Sequence, residues 1–506
     1  MKSAKSIATV LFAFACAAVA ARAQTTPPKM KMTTEIPASI TTPDSVETRI
    51  GTLKFFDGFP DASTVEKVYD NLDFLRGIEA FLNAMPGAST EALHQGFISQ
   101  GANNNQTVLN MEDLMDAKSL FLTANTESVY NMMWVDTKPG PVVLETPPNV
   151  LGIIDDHWFH YVADFGRVGQ DKGKGGKFLL LPPGYKGDVP TGYFVLRSGT
   201  YGNLVFWRGF LDNGSTKSAV ESSKKFAKVY QLSDAANPPA MKFINVAGRA
   251  FNTVHANSFH FYEEINDVVQ YEPNEAYSLE ILGTLAAIGI EKGKTFAPDE
   301  RMKKILTDAV AVGNASARAI VFKSRQPGTF NYPNSAWFTC FIGGNYEFLS
   351  QPGVRDLDAR VHFLYYATGI TPAMALEMVG VGSQYTAAAT DSEGKPLDGA
   401  ETYKIQLPPN IPAKDFWSFV VYDNQTRSML QTDQQFPSIG SQKQGVVINP
   451  DTSVDVWFGP VAPQGHEANW VQTVPGKGWN VILRLYGPLQ PWFDKTWKPG
   501  EIELVQ

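Results

Sequence analysis

Ser453-Val454-Asp455-Val456-Trp457-Phe458 puts Val454, Val456 and Phe458 on one face and Ser453, Asp455 and Trp457 on the other. Successive side chains of a strand point to opposite faces, so this stretch reads as a half-buried antiparallel strand. Runs of the same kind surround it at Tyr403 to Leu407, Trp417 to Tyr422, Val446 to Ile448 and Asn480 to Tyr486. About six strands at this spacing predict a sandwich or jelly roll at the C-terminal end.

A second strand-rich stretch runs from Val108 to Phe210. Strands are predicted at Val142 to Leu144, Leu151 to Ile154, Trp158 to Val162, Phe178 to Leu181, Tyr193 to Leu196 and Leu204 to Trp207, with Pro147-Pro148, Pro182-Pro183-Gly184 and Gly187-Asp188 as turns. Helical spacing marks the stretch between the two. Phe261, Ile265 and Val268 share one face, as do Leu279, Leu282, Leu285 and Ile288. Asp299 can cap a helix carrying Met302 to Ile320, and a further helix spans Leu357 to Ala367. Upstream, Ser63 and Glu66 have capping-box spacing, and Val65 to Leu82 repeats at helical intervals until Pro86-Gly87, which predicts a stop near Met85.

The fold class is therefore α+β, mainly β. A mixed β-sandwich-like N-terminal domain is expected over 47–250, a helical connecting segment over 251–335 and a jelly-roll-like C-terminal β-sandwich over 336–506. Lys2 and Lys5 before the uncharged run Ile7 to Ala20, then Ala21-Arg22-Ala23, form a leader over 1–23 with cleavage after Ala23. Residues 24–46, rich in Thr, Pro and Ser, read as a flexible linker. The expected compartment is the periplasm, with no permanent membrane span, because the leader run is too short to stay in a bilayer and no longer one follows.

Removing the leader takes the net charge from −8 to −11. An acidic surface repels phosphate, which excludes nucleic acid as a partner. Cys16 would leave with the leader, so Cys340 has no intrachain partner for a disulfide. The run Gly289 to Thr295 looks like a phosphate loop but has one residue too few between its glycines and follows a helix.

Asp155-Asp156-His157-Trp158-Phe159-His160 is the densest polar cluster. Carboxylate and imidazole together suit a divalent metal or acid–base work, and the alternative is a set of polar groups that bond the backbone. Strand alternation gives each face one carboxylate and one imidazole. Arg484 lies in an apolar strand on the face of Ile482 and Tyr486, where it needs a carboxylate such as Asp423 or Asp455, carbonyl groups, or a ligand. Tyr130, Trp134, Trp158, Tyr161 and Trp207 either line a cleft or pack a core.

Asn469 to Thr473, Trp479 and Arg484-Leu485-Tyr486-Gly487-Pro488, with Leu397-Asp398-Gly399 and Trp497-Lys498-Pro499-Gly500, resemble a bacterial family that pairs domain of unknown function 1254 with domain of unknown function 1214. Asn125-Thr126-Glu127-Ser128-Val129-Tyr130 is similar to a motif of the first domain, with Glu127 where the family has Asp and Ser128 where it has Thr. Arg208 falls on the family's recurrent arginine. The resemblance implies the same fold plan and supplies no reaction.

The expected function is a hydrolase-type enzyme acting on a small aromatic or amphiphilic substrate in a cleft of the first domain. The alternatives are a non-catalytic periplasmic carrier of a small molecule and a structural oligomer. His157 is the expected acid–base or metal-ligating group, oriented by Glu127 or Asp155. Asn125, Tyr130, Trp158, Arg208 and Arg484 are the expected substrate-binding residues. A homo-oligomer is expected.

Overall fold

Residues 31–505 are described by a computed structural model, and the leader and the first residues of the linker lie outside them. Two compact units divide the chain at Tyr69/Asp70. Where a linker is predicted to run to residue 46, the first unit opens a strand at Ser45–Thr48, which pairs with Gly51–Phe56 across a turn that needs Gly51 at φ +98°. The helix that follows, α1 (Ala62–Ser99), starts two residues earlier than the capping-box reading implies. Asp61 Oδ1 accepts from Thr64 N at 2.7 Å and from Ser63 Oγ at 3.1 Å, so Asp61 caps the helix rather than Ser63.

The second unit holds the rest of α1 and both sandwiches. α1 runs through Pro86 to Ser99 instead of stopping at Met85. Thr90 Oγ1 lies within hydrogen-bonding distance of the Pro86 and Gly87 carbonyls, and a Cβ on Gly87 would sit 2.4 Å from the Trp158 ring. The Pro-Gly pair is thus a close-packing site inside a buried helix, where tertiary contact overrides the local break. The other main helices are α2 (Lys217–Phe226), α3 (His260–Tyr271), α4 (Leu279–Ala287), α5 (Glu300–Phe322) and α6 (Leu357–Tyr366). Asp299 caps α5 by accepting from Met302 N at 2.8 Å, as its position predicts. By length and composition α5 passes for a membrane span, but it turns Leu306, Ala309, Val310 and Ala317 into the core.

The N-terminal sandwich packs a six-stranded sheet on a four-stranded one. Their orders are Lys242–Asn245, Thr107–Asn110, Ser128–Asp136, Gly202–Phe210, Val150–Asp156, Tyr161–Gly166, and Phe194–Arg197, Lys177–Leu181, Val142–Glu145, Lys228–Gln231. The C-terminal sandwich packs Ser383–Ala388, Trp479–Pro488, Ala413–Asp423, Ser438–Gly440 on Trp470–Gln472, Val454–Gly459, Tyr403–Leu407, Glu503–Leu504. The fold is α+β and mainly β, with helices between two β domains, and no sheet closes on itself.

Period-2 alternation gives each sandwich two cores. In Ser128–Asp136, Met133 and Val135 face the partner sheet while Tyr130, Met132 and Trp134 face a central core shared with the helices. In Trp479–Pro488, Val481, Leu483 and Leu485 face the partner sheet while Ile482 joins the same central core. One sheet of each sandwich therefore turns its outer face, the one away from its partner sheet, into a single layer shared with most of the helices.

Two predicted strands are displaced. Val446 to Ile448 is an exposed loop, because Asn469 rather than a neighbouring strand takes the Val447 N–H and carbonyl. The strand placed at Trp158 to Val162 begins at Tyr161, since the chain turns at Phe159 with φ +55°. His157, beyond the end of Val150–Asp156, consequently does not share a strand face with Asp155.

Candidate functional site

A loop carries the site. After the short strand Ser119–Leu120, which pairs with Phe251–Asn252, the chain passes Thr123 at φ +47° and enters the six-stranded sheet at Ser128. Asn125 ties it: Oδ1 accepts from Glu127 N at 3.0 Å and Ser128 Oγ at 2.9 Å, and Nδ2 donates to the Tyr486 hydroxyl of the C-terminal sheet at 2.8 Å. Asn125 N receives no carbonyl but donates to the Tyr130 hydroxyl at 3.2 Å. The short polar residues of this motif thus fix one sandwich to the other.

Behind the loop is a cavity of about 40 Å³, with Tyr130, Phe206, Arg208, Cys340, Tyr385 and Arg484 in its wall. Arg208 stands on Gly202–Phe210 opposite Tyr130 in the register, and Arg484 on Trp479–Pro488 opposite Tyr385 and Ser418. Both are buried, at 9% and 2% exposure. Arg484 Nη2 donates to the carbonyls of Thr123 and Ala124, but its Nη1 has no partner, and neither has Arg208 Nε. Asp423 pairs with Lys477 and Asp455 with Lys404, so neither is the predicted mate of Arg484. No carboxylate lines the cavity. Glu127, which burial pushes up from the usual carboxylate range, is occupied by Thr126 N and Oγ1.

Two guanidiniums with at most one ionised carboxylate nearby make the chamber electropositive, and an unpaired buried N–H costs about 1–3 kcal/mol. Nothing in the wall is activated as a nucleophile. Burial pushes the Cys340 thiol up to about 12 and raises the Tyr130 phenol as well.

Of the residues singled out in the sequence, Asn125, Glu127, Tyr130, Arg208 and Arg484 come together here, while Asp155, His157 and Trp158 do not. Trp158 packs against Gly87 and edge-on to Tyr277 at 4.8 Å. Asp155 Oδ2 accepts from Ile370 N at 2.9 Å, Oδ1 has no partner, and burial raises its pKa well above the carboxylate range. Of the five aromatics proposed for a cleft, only Tyr130 lines this one. Trp207, for example, lies between the sheets with Nε1 on Ser223 Oγ at 3.0 Å.

His157 is 2% exposed and sits between two carboxylates absent from the sequence reading. Nδ1 is 2.8 Å from Glu272 Oε1 and Nε2 is 3.1 Å from Glu91 Oε2. The two glutamates are 115 and 66 positions away, which leaves no local signal to find them by. Burial opposes charging the ring, but the two carboxylates outweigh it and push His157 up to about 9. Burial likewise opposes charge on Glu91, and the two histidines outweigh it to hold it at about 2. With both ring nitrogens donating, His157 offers a metal no lone pair, and among the described residues no three His, Cys, Asp or Glu side chains are grouped to hold one. The carboxylates that meet His157 are therefore Glu91 and Glu272, and not Glu127 or Asp155 as the sequence reading expects.

This triad dictates a pH response. His157, raised from 6.5, stabilises fully below pH 6.5 and loses its contribution as pH rises through about 9. Glu91, depressed from 4.5, stabilises fully above pH 4.5 and fades as pH falls through about 2. The urea midpoint is expected to plateau between pH 4.5 and 6.5 and fall on both sides; no decline up to pH 9 would contradict the alkaline limb.

The missed site residues are Tyr385, Tyr486 and Cys340. Tyr486 was within reach, two positions from Arg484 on the same strand face, whereas Tyr385 and Cys340 carry no chemical signature in sequence.

Residues 105–231 match the family described as Protein of unknown function (DUF1254), and residues 382–490 the one described as Protein of unknown function (DUF1214). No curated protein matches. A crystal structure of the VPA0106 protein from Vibrio parahaemolyticus is similar at 20% identity and TM-score 0.51, over 86% of this chain and 100% of that one, which shows the fold. A putative uncharacterized protein from Burkholderia cenocepacia aligns at 11% identity and TM-score 0.38, over 87% of this chain and 96% of that one. With a DUF1254 region followed by a DUF1214 region, this chain belongs to the proteins that pair the two domains in that order.

Proposed function

We propose that the chain is a binding protein for a small anionic molecule, held by its carboxylate or an equivalent group between Arg208 and Arg484. The observation that carries this is the pair of buried guanidiniums with unpartnered N–H groups facing a chamber without a carboxylate. An anion there satisfies both donors with charge-assisted bonds. The carrier reading is better supported than a hydrolase, because the chamber offers no activated nucleophile and His157 is enclosed between carboxylates. The leader read in the sequence supports the periplasm as the setting of this activity.

Calorimetric titration with a monocarboxylate and with its uncharged amide tests the reading. The acid is expected to bind and the amide not, and Arg208→Met is expected to weaken the acid at least tenfold, since loss of a charge-assisted bond is worth about 1.5–3 kcal/mol. Equal binding of acid and amide, or none by either, overturns it.

A further inference from the structure

A cleft of about 610 Å³ opens between α1, α3 and the turn that follows Ala413–Asp423, room enough for a small molecule. It shares no wall residue with the arginine chamber.

Arg427 enters the cleft from that turn. Asp423 Oδ1 accepts from Gln425 N at 2.6 Å and the Asp423 carbonyl from Arg427 N at 2.8 Å, so the chain doubles back and Arg427 takes φ +59°. The guanidinium is 1% exposed and lies over the Tyr365 ring at 4.1 Å. Its Nε donates to the Tyr365 carbonyl at 3.1 Å and its Nη1 to that of Gln425 at 2.8 Å. Nη2 has no partner among the described residues, and Asp423 pairs with Lys477 instead. Burial pushes Arg427 down to about 10, which leaves it charged at neutral pH.

His255, 2% exposed, makes the complementary offer. Its Nδ1 is 3.0 Å from the Ala256 carbonyl, which can only accept, so Nδ1 carries the proton and Nε2 a lone pair. Burial, with Arg427 nearby, keeps the ring neutral by pushing it down to about 3. Nε2 has no partner either. Glu264 and Asp267, three apart on one face of α3, join Glu91 of α1 in a wall where Arg427 is the only lysine or arginine. Glu91 is taken by His157, while burial pushes Glu264 up to about 8 and the carboxylates of Glu91 and Asp267 add to that.

The cleft therefore wants an acceptor at Arg427, and positively charged donors at His255 and the carboxylates. We infer that it is a second binding site, for a zwitterion of the amino-acid or short-peptide class. The carboxylate lies on Arg427 Nη2, and the primary ammonium, with three donors, lies against Glu264, Asp267 and the His255 lone pair. A simple anion would leave the acidic end unmet, and a simple amine would leave Arg427 so.

The test is calorimetric titration of the full chain at neutral pH with glycylglycine, its N-acetyl derivative and its C-terminal amide. Glycylglycine is expected to bind, and each blocked form about tenfold more weakly or worse. Asp267→Asn, at an exposed position that folding tolerates, is expected to weaken glycylglycine about threefold and leave the N-acetyl form unchanged. Arg427→Met is expected to abolish the advantage of glycylglycine over its amide, and Arg208→Met to change nothing. Equal binding of the three forms, or binding by none, overturns the inference. Glycylglycine binding that is lost in Arg208→Met and kept in Asp267→Asn puts the dipeptide in the arginine chamber and overturns it too, while leaving the anion site standing.

Discussion

Replacing His157 with alanine is expected to cost about 3–5 kcal/mol of folding stability, the range found when one partner of a buried ion pair is removed. The reason lies in what would be left behind. Glu272 has no exposed side-chain surface and accepts, besides His157, from Tyr201 N and from Gly202 N at 2.9 Å. Glu91, also buried, retains Gln95 and the half-exposed His94 at 3.3 Å. Without the imidazolium, two carboxylates face one apolar hole beside Trp134, whose ring meets His157 at 4.6 Å. The measurement is the urea midpoint of both proteins between pH 4.5 and 6.5, where the triad is complete. A loss under about 1 kcal/mol would mean that the charges are not paired as described. Ligand binding at the arginine chamber is expected to survive in the folded fraction, because His157 has no part in its wall.

Arg208→Met is expected to move stability the other way, raising it by about 1–3 kcal/mol in the absence of ligand. Methionine nearly matches the arginine stem in length and carries neither a charge to desolvate nor an unpartnered Nε. Its neighbours across the strand pairs, Tyr130 and Leu151, stay packed against a similar volume. Arg484→Met is expected to lower stability, since Nη2 donates to the Thr123 carbonyl and, beside the Tyr422 hydroxyl, to that of Ala124. The contrast separates a guanidinium kept for binding from one that also holds the loop. Side-by-side urea midpoints decide it, and a destabilised Arg208→Met would give Arg208 a structural task instead. A stability gain coupled to lost affinity is the usual mark of a residue retained for function.

Strands with one wet face could be read from the sequence because alternation survives there, as in Val454–Gly459. Ser128–Asp136 was not read as a strand, since all but its last residue is buried and both faces carry apolar or neutral side chains. Pro86-Gly87 misled for a different reason. Its break signal is local, while the contacts that override it come from Trp158, far along the chain. The site divided in the same way. Arg484 announced itself as a guanidinium in an apolar strand, and Arg208 and the Asn125–Tyr130 motif came through family resemblance. Asp155 to His160, adjacent in sequence, part company in space because the chain turns after Asp156. Asp155 bonds Ile370, Asp156 takes His160 at 3.0 Å, and His157 goes to Glu91 and Glu272.

The strand Trp479–Pro488 gives alternate residues to two cores, one inside its own sandwich and one shared with the N-terminal half. Ile482, Val420, Tyr422 and Met429 from the later region sit in the same cluster as Tyr130, Met132, Leu204 and Phe206 from the earlier one. A fragment cut between the two family regions would present that apolar face, with Arg484 and Tyr486 on it, to water. From Asp70 onward the two family regions are therefore expected to unfold together as one cooperative unit.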